Sequence, residues 1–127
     1  MDKVVHFEIP CDNAERASEF YKKVFGWKIN AVPEMNYHIV HTVDIDEKNM
    51  PKEAGAINGG MYKRDEKSAQ SPVIVISVKN IDEAVKKAEK AGGKVFRPKM
   101  QVGNMGLYAQ VKDSEGNIIG IWQDTSH

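Results

Sequence analysis

The sequence predicts an α+β fold made of two tandem βαβββ modules. Three observations lead there. Strand-like and helix-like runs follow one another as strand, helix and three strands; that order occurs twice; and moving the sequence along by 67 residues lays Ala14 on Ile81, Glu15 on Asp82, Ala17 on Ala84 and Gly26 on Gly93, with no gap from strand through helix. Such self-similarity marks an internal duplication. A half of about 60 residues has little core of its own. The modules, about residues 4–63 and 72–124, are therefore expected to pack together in a single domain spanning residues 1–127, with helices on one side of mixed sheets.

Module 1 opens with Val4-Val5-His6-Phe7-Glu8-Ile9, a strand that Pro10 is expected to end. Asp12-Asn13-Ala14-Glu15 then offers a capping box, with the Asp12 carboxylate as N-cap and Glu15 three residues on. Ala14, Ala17, Phe20, Tyr21, Val24 and Phe25 share one helical face, Glu15, Arg16, Glu19, Lys22 and Lys23 fall elsewhere, and Gly26 stops the run. That pattern predicts a helix packed on something apolar. Trp27–Ile29, Tyr37–Val43 and Ala56–Lys63 are the strands that follow, separated by Pro33 and by the polar loop Asp44–Gly55.

Module 2 begins after the charged linker Lys63–Ser71. Val73–Val78 is a β-branched run suited to a sheet interior, and Asn80-Ile81-Asp82-Glu83 repeats the capping chemistry. The second helix turns Ile81, Ala84, Val85, Ala88 and Ala91 inward and stops at Gly92-Gly93. Lys94–Arg97, Leu107–Lys112 and Asn117–Gln123 are the remaining strands, the last two joined by the turn Asp113-Ser114-Glu115-Gly116.

Composition narrows the function. The 127 residues are 41% hydrophobic and 28% charged, as in an ordinary globular domain, and 18 Lys and Arg balance 18 Asp and Glu. Without a basic excess or stripe, no nucleic-acid or membrane-surface partner is expected. Apolar stretches such as Val73–Ile76 fall far short of the roughly 20 residues a membrane helix needs. The N-terminus shows no secretory pattern, so the expected location is cytoplasmic. Cys11 is a single cysteine, which excludes an internal disulfide and a cysteine-based metal framework; at a strand-to-helix corner it reads as a small filler. His127 closes the sequence and is expected to be disordered.

With these elements in place, the chain resembles the vicinal oxygen chelate superfamily, which includes glyoxalase I, bleomycin-resistance proteins and extradiol dioxygenases. The βαβββ order twice over, Phe20-Tyr21-Lys22-Lys23-Val24-Phe25-Gly26-Trp27 closing the first helix, and Asp113-Ser114-Glu115-Gly116-Asn117 before the last strand carry the likeness, over roughly residues 4–124. It implies the glyoxalase/bleomycin resistance/dioxygenase fold: a curved mixed β-sheet with a concave cleft for a small molecule, usually in a homodimer. Enzymes of that superfamily hold a divalent metal with His and Glu side chains on the first and last strands of each module. His6 stands where the first histidine ligand belongs. Its duplicate is Val73, the last strand of module 1 (Ile57-Asn58-Gly59-Gly60-Met61) has no carboxylate or imidazole, and the last strand of module 2 has Gly120 where a glutamate is expected. Three of the four ligand positions are empty, and a single imidazole does not hold such an ion. No metal and no other cofactor is therefore expected.

Period-2 alternation puts Glu8 on the strand face of His6, either as a non-standard metal pair or as two polar groups lining a pocket. His38 and His41, three apart on a strand, face opposite sides and do not converge on one ion. Gly103-Asn104-Met105-Gly106 lacks a following helix to make a phosphate site and reads as a hairpin or rim loop. Asn58-Gly59-Gly60 marks a bulge or a close approach by a ligand or backbone. Methionines 35, 50 and 105 suit an adaptable pocket rim, while Met61 and Met100 are also natural core fillers.

Two functions remain open. One is a metal-free small-molecule binder whose cleft is lined by Tyr37, Tyr108 and Trp122, with His6, Glu8, Asn58, Met61 and Gln123 completing the ligand contacts. The other is a lyase, isomerase or dioxygenase-like enzyme with an unconventional site, in which Glu8 is the catalytic residue, or His6 abstracts a proton beside a carbonyl. A pure interaction module draws support only from the missing metal ligands.

Overall fold

The computed structural model describes Met1–Ser126; His127, for which the sequence predicts disorder, lies outside the described residues. The chain divides into two compact units, one of His6–Pro72 and the other of Met1–Val5 with the residues from Val73 onward. The βαβββ order appears twice, as the duplication predicts. β1 (Lys3–Cys11), α1 (Ala14–Phe25), β2 (Lys28–Val32), β3 (Tyr37–His41) and β4 (Asn58–Lys63) make the first set; β5 (Val73–Ser77), α2 (Ile81–Lys90), β6 (Lys94–Val102), β7 (Gly106–Lys112) and β8 (Ile118–Asp124) make the second.

In the first unit the strands lie in the order β2-β3-β4-β1. β2 with β3 and β3 with β4 pair antiparallel, whereas β1 and β4 pair parallel, with His6 opposite Asn58, Glu8 opposite Gly60 and Ile9 opposite Met61. The core gathers on the helix side. Cys11, Ile29, Val40 and Met61 are buried there, and Phe7, Ile9, Ala14, Ala17, Tyr21 and Trp27 pack against them. Burial of a side chain the size of Met61 or Val40 contributes about 1.5–3 kcal/mol. Cys11 is a filler of this core, as its position suggested.

Three expectations for this unit need correction. β1 runs through Pro10 to Cys11 instead of ending before it. Asn13, not Asp12, caps α1, its side chain accepting from the Arg16 amide at 3.0 Å, while Asp12 pairs with Arg64. Ala14, Ala17 and Tyr21 pack inward, but Phe20, Val24 and Phe25 remain 56, 55 and 58% exposed. The apolar stripe of α1 is broader than the strip of sheet it covers. Gly26 ends the helix in the left-handed region, at φ 73°, donating to the Lys22 carbonyl.

In the second unit the order is β5-β8-β7-β6, with β5 parallel to β8 and the other neighbours antiparallel. Ile81, Ala109, Val111 and Ile121 form its core, with Val78, Ala84, Val85, Ala88, Leu107 and Ile119 against them. Asn80 caps α2 as expected, accepting from the Glu83 amide at 3.0 Å. β6 extends to Val102, past the predicted end at Arg97, because Pro98 sits where the register to β7 shifts and so interrupts no ladder bond that the strand needs. Met100 on β6 is 51% exposed and fills no core. No helix among the described residues is long and apolar enough to cross a membrane.

Candidate functional site

The site grows from the alternation of β1. Phe7, Ile9 and Cys11 point to the helix-side core, so His6 and Glu8 stand on the opposite face. Tyr37 on β3 is opposite Tyr62 on β4, one diagonal step from Gly60, which is itself opposite both Glu8 and Ile39. Gly60 is what lets the phenol come in: a Cβ there would run into the Tyr37 hydroxyl and ring. Gly59, on the other face, is closed in by the Phe7 ring. Both glycines are close-approach positions in an unbroken register, but what approaches Gly60 is a side chain, the Tyr37 phenol, where a ligand or a backbone was expected, and Gly59 meets the ring and carbonyl of Phe7.

At this crossing three side chains meet. His6 Nε2 lies 3.1 Å from the Tyr37 hydroxyl, and Tyr37 is also hydrogen-bonded to the Glu8 side chain. An ionised carboxylate only accepts, so the phenol proton goes to Glu8. The phenol oxygen then accepts from His6 Nε2–H, which assigns that tautomer and leaves the lone pair on Nδ1. Burial holds the His6 pKa below its ordinary value, keeping the ring neutral. Burial, with the charge and hydrogen bond of Glu8 adding to it, pushes the Tyr37 pKa up, so its hydroxyl stays protonated.

The donor set does not fit the divalent metal of the superfamily. His6 Nε2 is engaged by Tyr37, Glu8 accepts from the same phenol, and the β4 residue opposite Glu8 is glycine. Among the described residues, no group of three or more His, Cys, Asp or Glu side chains is placed to hold a metal ion. His38 and His41 lie on opposite faces of β3, His41 in register with Lys28 and His38 with Ala31.

Of the residues predicted for ligand contact, His6, Glu8 and Tyr37 come together, and several others have structural duties. The Asn58 Oδ1 accepts from the Thr42 and Val43 amides at 2.8 and 3.0 Å, tying β4 to the end of β3. Met61 faces the helix-side core and is fully buried. Gln123 Oε1 accepts from the Ile81 amide at 2.9 Å and completes the start of α2. Trp122 lays its ring against Gly106. In the second unit Tyr108 lies against Gly120 and accepts from Gln110 Nε2 at 2.8 Å. Gln110, 5% exposed, was not picked out from the sequence, and its Oε1 has no partner among the described residues. Its signal was period-2 alternation with Tyr108 in an otherwise apolar run.

Two grooves open elsewhere in the first unit. One is polar and includes Lys28, His41, Asp44 and Lys52, with Lys28 Nζ 3.0 Å from Asp44. The other, of about 520 Å³, is lined by Phe7, Ile9, Trp27, Ala56, Ile57 and Pro72. Its volume suits a small molecule, but it lacks the converging polar groups that orient one.

Fold and site together define a protein of the glyoxalase/bleomycin resistance/dioxygenase fold, and comparison with known proteins agrees. The sequence profile of the family described as bleomycin resistance protein-like N-terminal matches residues 3–42, from β1 to the end of β3. No curated protein matches the sequence. Among solved structures, a hypothetical protein from Bacillus halodurans superposes with a TM-score of 0.64 at 13% identity, covering 99% of this chain and 96% of its own. Methylmalonyl-CoA epimerase from Mycobacterium tuberculosis gives 0.62 at 13%, over 95% and 87%. A glyoxalase/bleomycin resistance protein/dioxygenase superfamily member from Vibrio splendidus gives 0.61 at 11%, over 98% and 100%. The resemblance read from the sequence holds for the fold.

Proposed function

We propose that this protein binds a small molecule without a metal, at the face of the first module where His6, Tyr37 and Glu8 meet. The hydrogen-bonded chain from His6 through Tyr37 to Glu8 carries this reading, because the phenol that occupies the space over Gly60 engages the side chains from which a metal ligand set would be drawn. Convergent polar groups with displaced pKa values make this crossing a candidate site. A homodimer in the cytoplasm is the expected form. The test joins elemental analysis to a thermal-shift panel of aromatic and aliphatic small molecules after dialysis against a chelator. Stabilisation that survives chelation supports the reading, a ligand at a hundred times its Kd adding about 2.7 kcal/mol. One equivalent of a divalent metal, lost in His6→Ala and required for binding, overturns it.

The same chain favours proton transfer as a second reading, since Glu8 and the His6 Nδ1 lone pair are bases held beside a phenol that stays protonated. Deuterium exchange beside the carbonyl of a small acyl thioester, abolished by Glu8→Gln, would move the enzyme ahead of the binder.

A further inference from the structure

We infer that the second unit, independently of the His6–Tyr37–Glu8 site in the first, binds a compact phosphate-bearing anion between Lys94, Arg97 and Lys112. The balanced charge of the chain hides a local excess: residues 86–112 hold seven of the 18 Lys and Arg and one, Glu89, of the 18 Asp and Glu. The fold divides these cations between two layers. Ala84, Val85 and Ala88 turn inward from α2, which leaves Lys86, Lys87 and Lys90 exposed beside Glu89 on its outer side. In β7, Ala109 and Val111 face α2, so Gln110 and Lys112 stand on the opposite face. There Lys94 is directly opposite Lys112, and Arg97 is opposite Gln110. The register shift beside Arg97 gives β6 one extra residue, Phe96, and the Lys112 ammonium lies 5.6 Å from the centre of its ring.

Like charges directly opposite on neighbouring strands destabilise a sheet. A lysine on an edge strand such as β6 discourages edge pairing, but Lys112 is on β7, inside the sheet, where that duty does not arise. No carboxylate among the described residues forms an ion pair with Lys94, Arg97 or Lys112, and all three are exposed. Asp113, next to Lys112, is engaged by the Glu115 and Asn117 amides of its own turn. Asp124 is at the far end of this face, opposite Gly106, where it accepts from Ser126. Gln110 is 5% exposed and directs its Nε2 to Tyr108. The charge around Lys112 is therefore positive, and an anion between the three side chains relieves the repulsion of Lys94 and Lys112. Arg97 offers a phosphate two parallel donors, to which the ammonium groups add point charges. Because Lys86, Lys87 and Lys90 belong to the other layer, the cations on this face make a compact cluster and not the long stripe that a nucleic-acid duplex or a lipid surface engages.

Isothermal titration of the full chain at low salt with inorganic pyrophosphate, orthophosphate, a short DNA duplex and phosphatidylserine vesicles separates the outcomes. Pyrophosphate is expected to bind at least about fivefold more tightly than orthophosphate. Arg97→Gln and Lys112→Gln should each weaken it at least about fivefold, whereas Lys86→Gln, which removes the same charge from α2, should cost less than about twofold. Lys94→Gln should raise the melting temperature of the ligand-free protein by about 1 °C while weakening pyrophosphate, a split that a purely solvated lysine does not give. No binding of pyrophosphate at millimolar concentration overturns the site, as does an equal loss in Lys86→Gln and Lys112→Gln. Tighter binding of the duplex or the vesicles than of pyrophosphate, weakened alike by Lys86→Gln and Lys112→Gln, overturns the ligand class in favour of a general electrostatic surface.

Discussion

The Tyr37 hydroxyl stands over the Cα of Gly60, in the space a side chain at that residue would need. The same relationship recurs in the second module. Tyr108 is opposite Trp122 and one diagonal step from Gly120, whose Cβ would come within 2.8 Å of the Tyr108 hydroxyl. Each module thus places a phenol against a strand glycine. The first phenol is held by His6 and Glu8 and the second by Gln110.

Gly60→Ala should destabilise the protein by about 1–3 kcal/mol, because the added methyl forces the Tyr37 ring out of its place. Tyr37→Ala removes the obstacle, so the double variant should lose less than the two single changes added together. Urea denaturation of the four proteins measures the coupling. Strict additivity would mean that the two residues do not meet.

His6 makes stability depend on pH. Its folded pKa lies below the unfolded 6.5, so the unfolded chain binds more protons through that window. The contribution of His6 is therefore complete above about pH 6.5 and lost as the pH falls through the folded value. Chemical denaturation between pH 5 and 7.5 should show stability falling on acidification, and His6→Gln should flatten the fall. Asp44 and Asp113, whose carboxyls are held below 3.8, lose their contributions only in more acidic solution.

Asn58→Ala should cost about 1–3 kcal/mol by leaving the Thr42 and Val43 amides without their acceptor. Asn58→Asp, which keeps an acceptor oxygen, should restore most of it. Hydrogen exchange at those two amides provides the reading: fast in Asn58→Ala, slow in the native protein. Protection unchanged in Asn58→Ala would refute the assignment.

Gln123→Ala should lower stability by about 1 kcal/mol through the start of α2, without changing ligand affinity. Thermal denaturation beside titration of the same variant checks both. A large loss of affinity at unchanged stability would return Gln123 to the ligand site.

The fold was legible because helix caps, glycine stops and alternating strands repeat at a constant offset from β1 through the helix. Beyond the helices the offset drifts: Tyr37 and Tyr108 are 71 residues apart, Gly60 and Gly120 only 60. The paired phenols were therefore invisible to a fixed shift. Alternation puts Glu8 with His6, but composition does not reveal which polar side chains serve the backbone, as Asn58 does for Thr42 and Val43 and Gln123 for Ile81. Met61 failed for a related reason. A methionine suits a pocket rim and a core equally, and only the register with Ile9 shows that it faces α1.

The measurement that tests the central claim most directly is a titration of metal-free protein, labelled on histidine and tyrosine rings for NMR, with a small molecule that raises its melting temperature. The site described above requires the rings of His6 and Tyr37 to shift together on binding, with both responses lost in Glu8→Gln. If that molecule leaves His6 and Tyr37 unmoved and instead perturbs Trp27 and Phe7 in the apolar groove, the ligand sits on the helix side of the sheet and the account is contradicted.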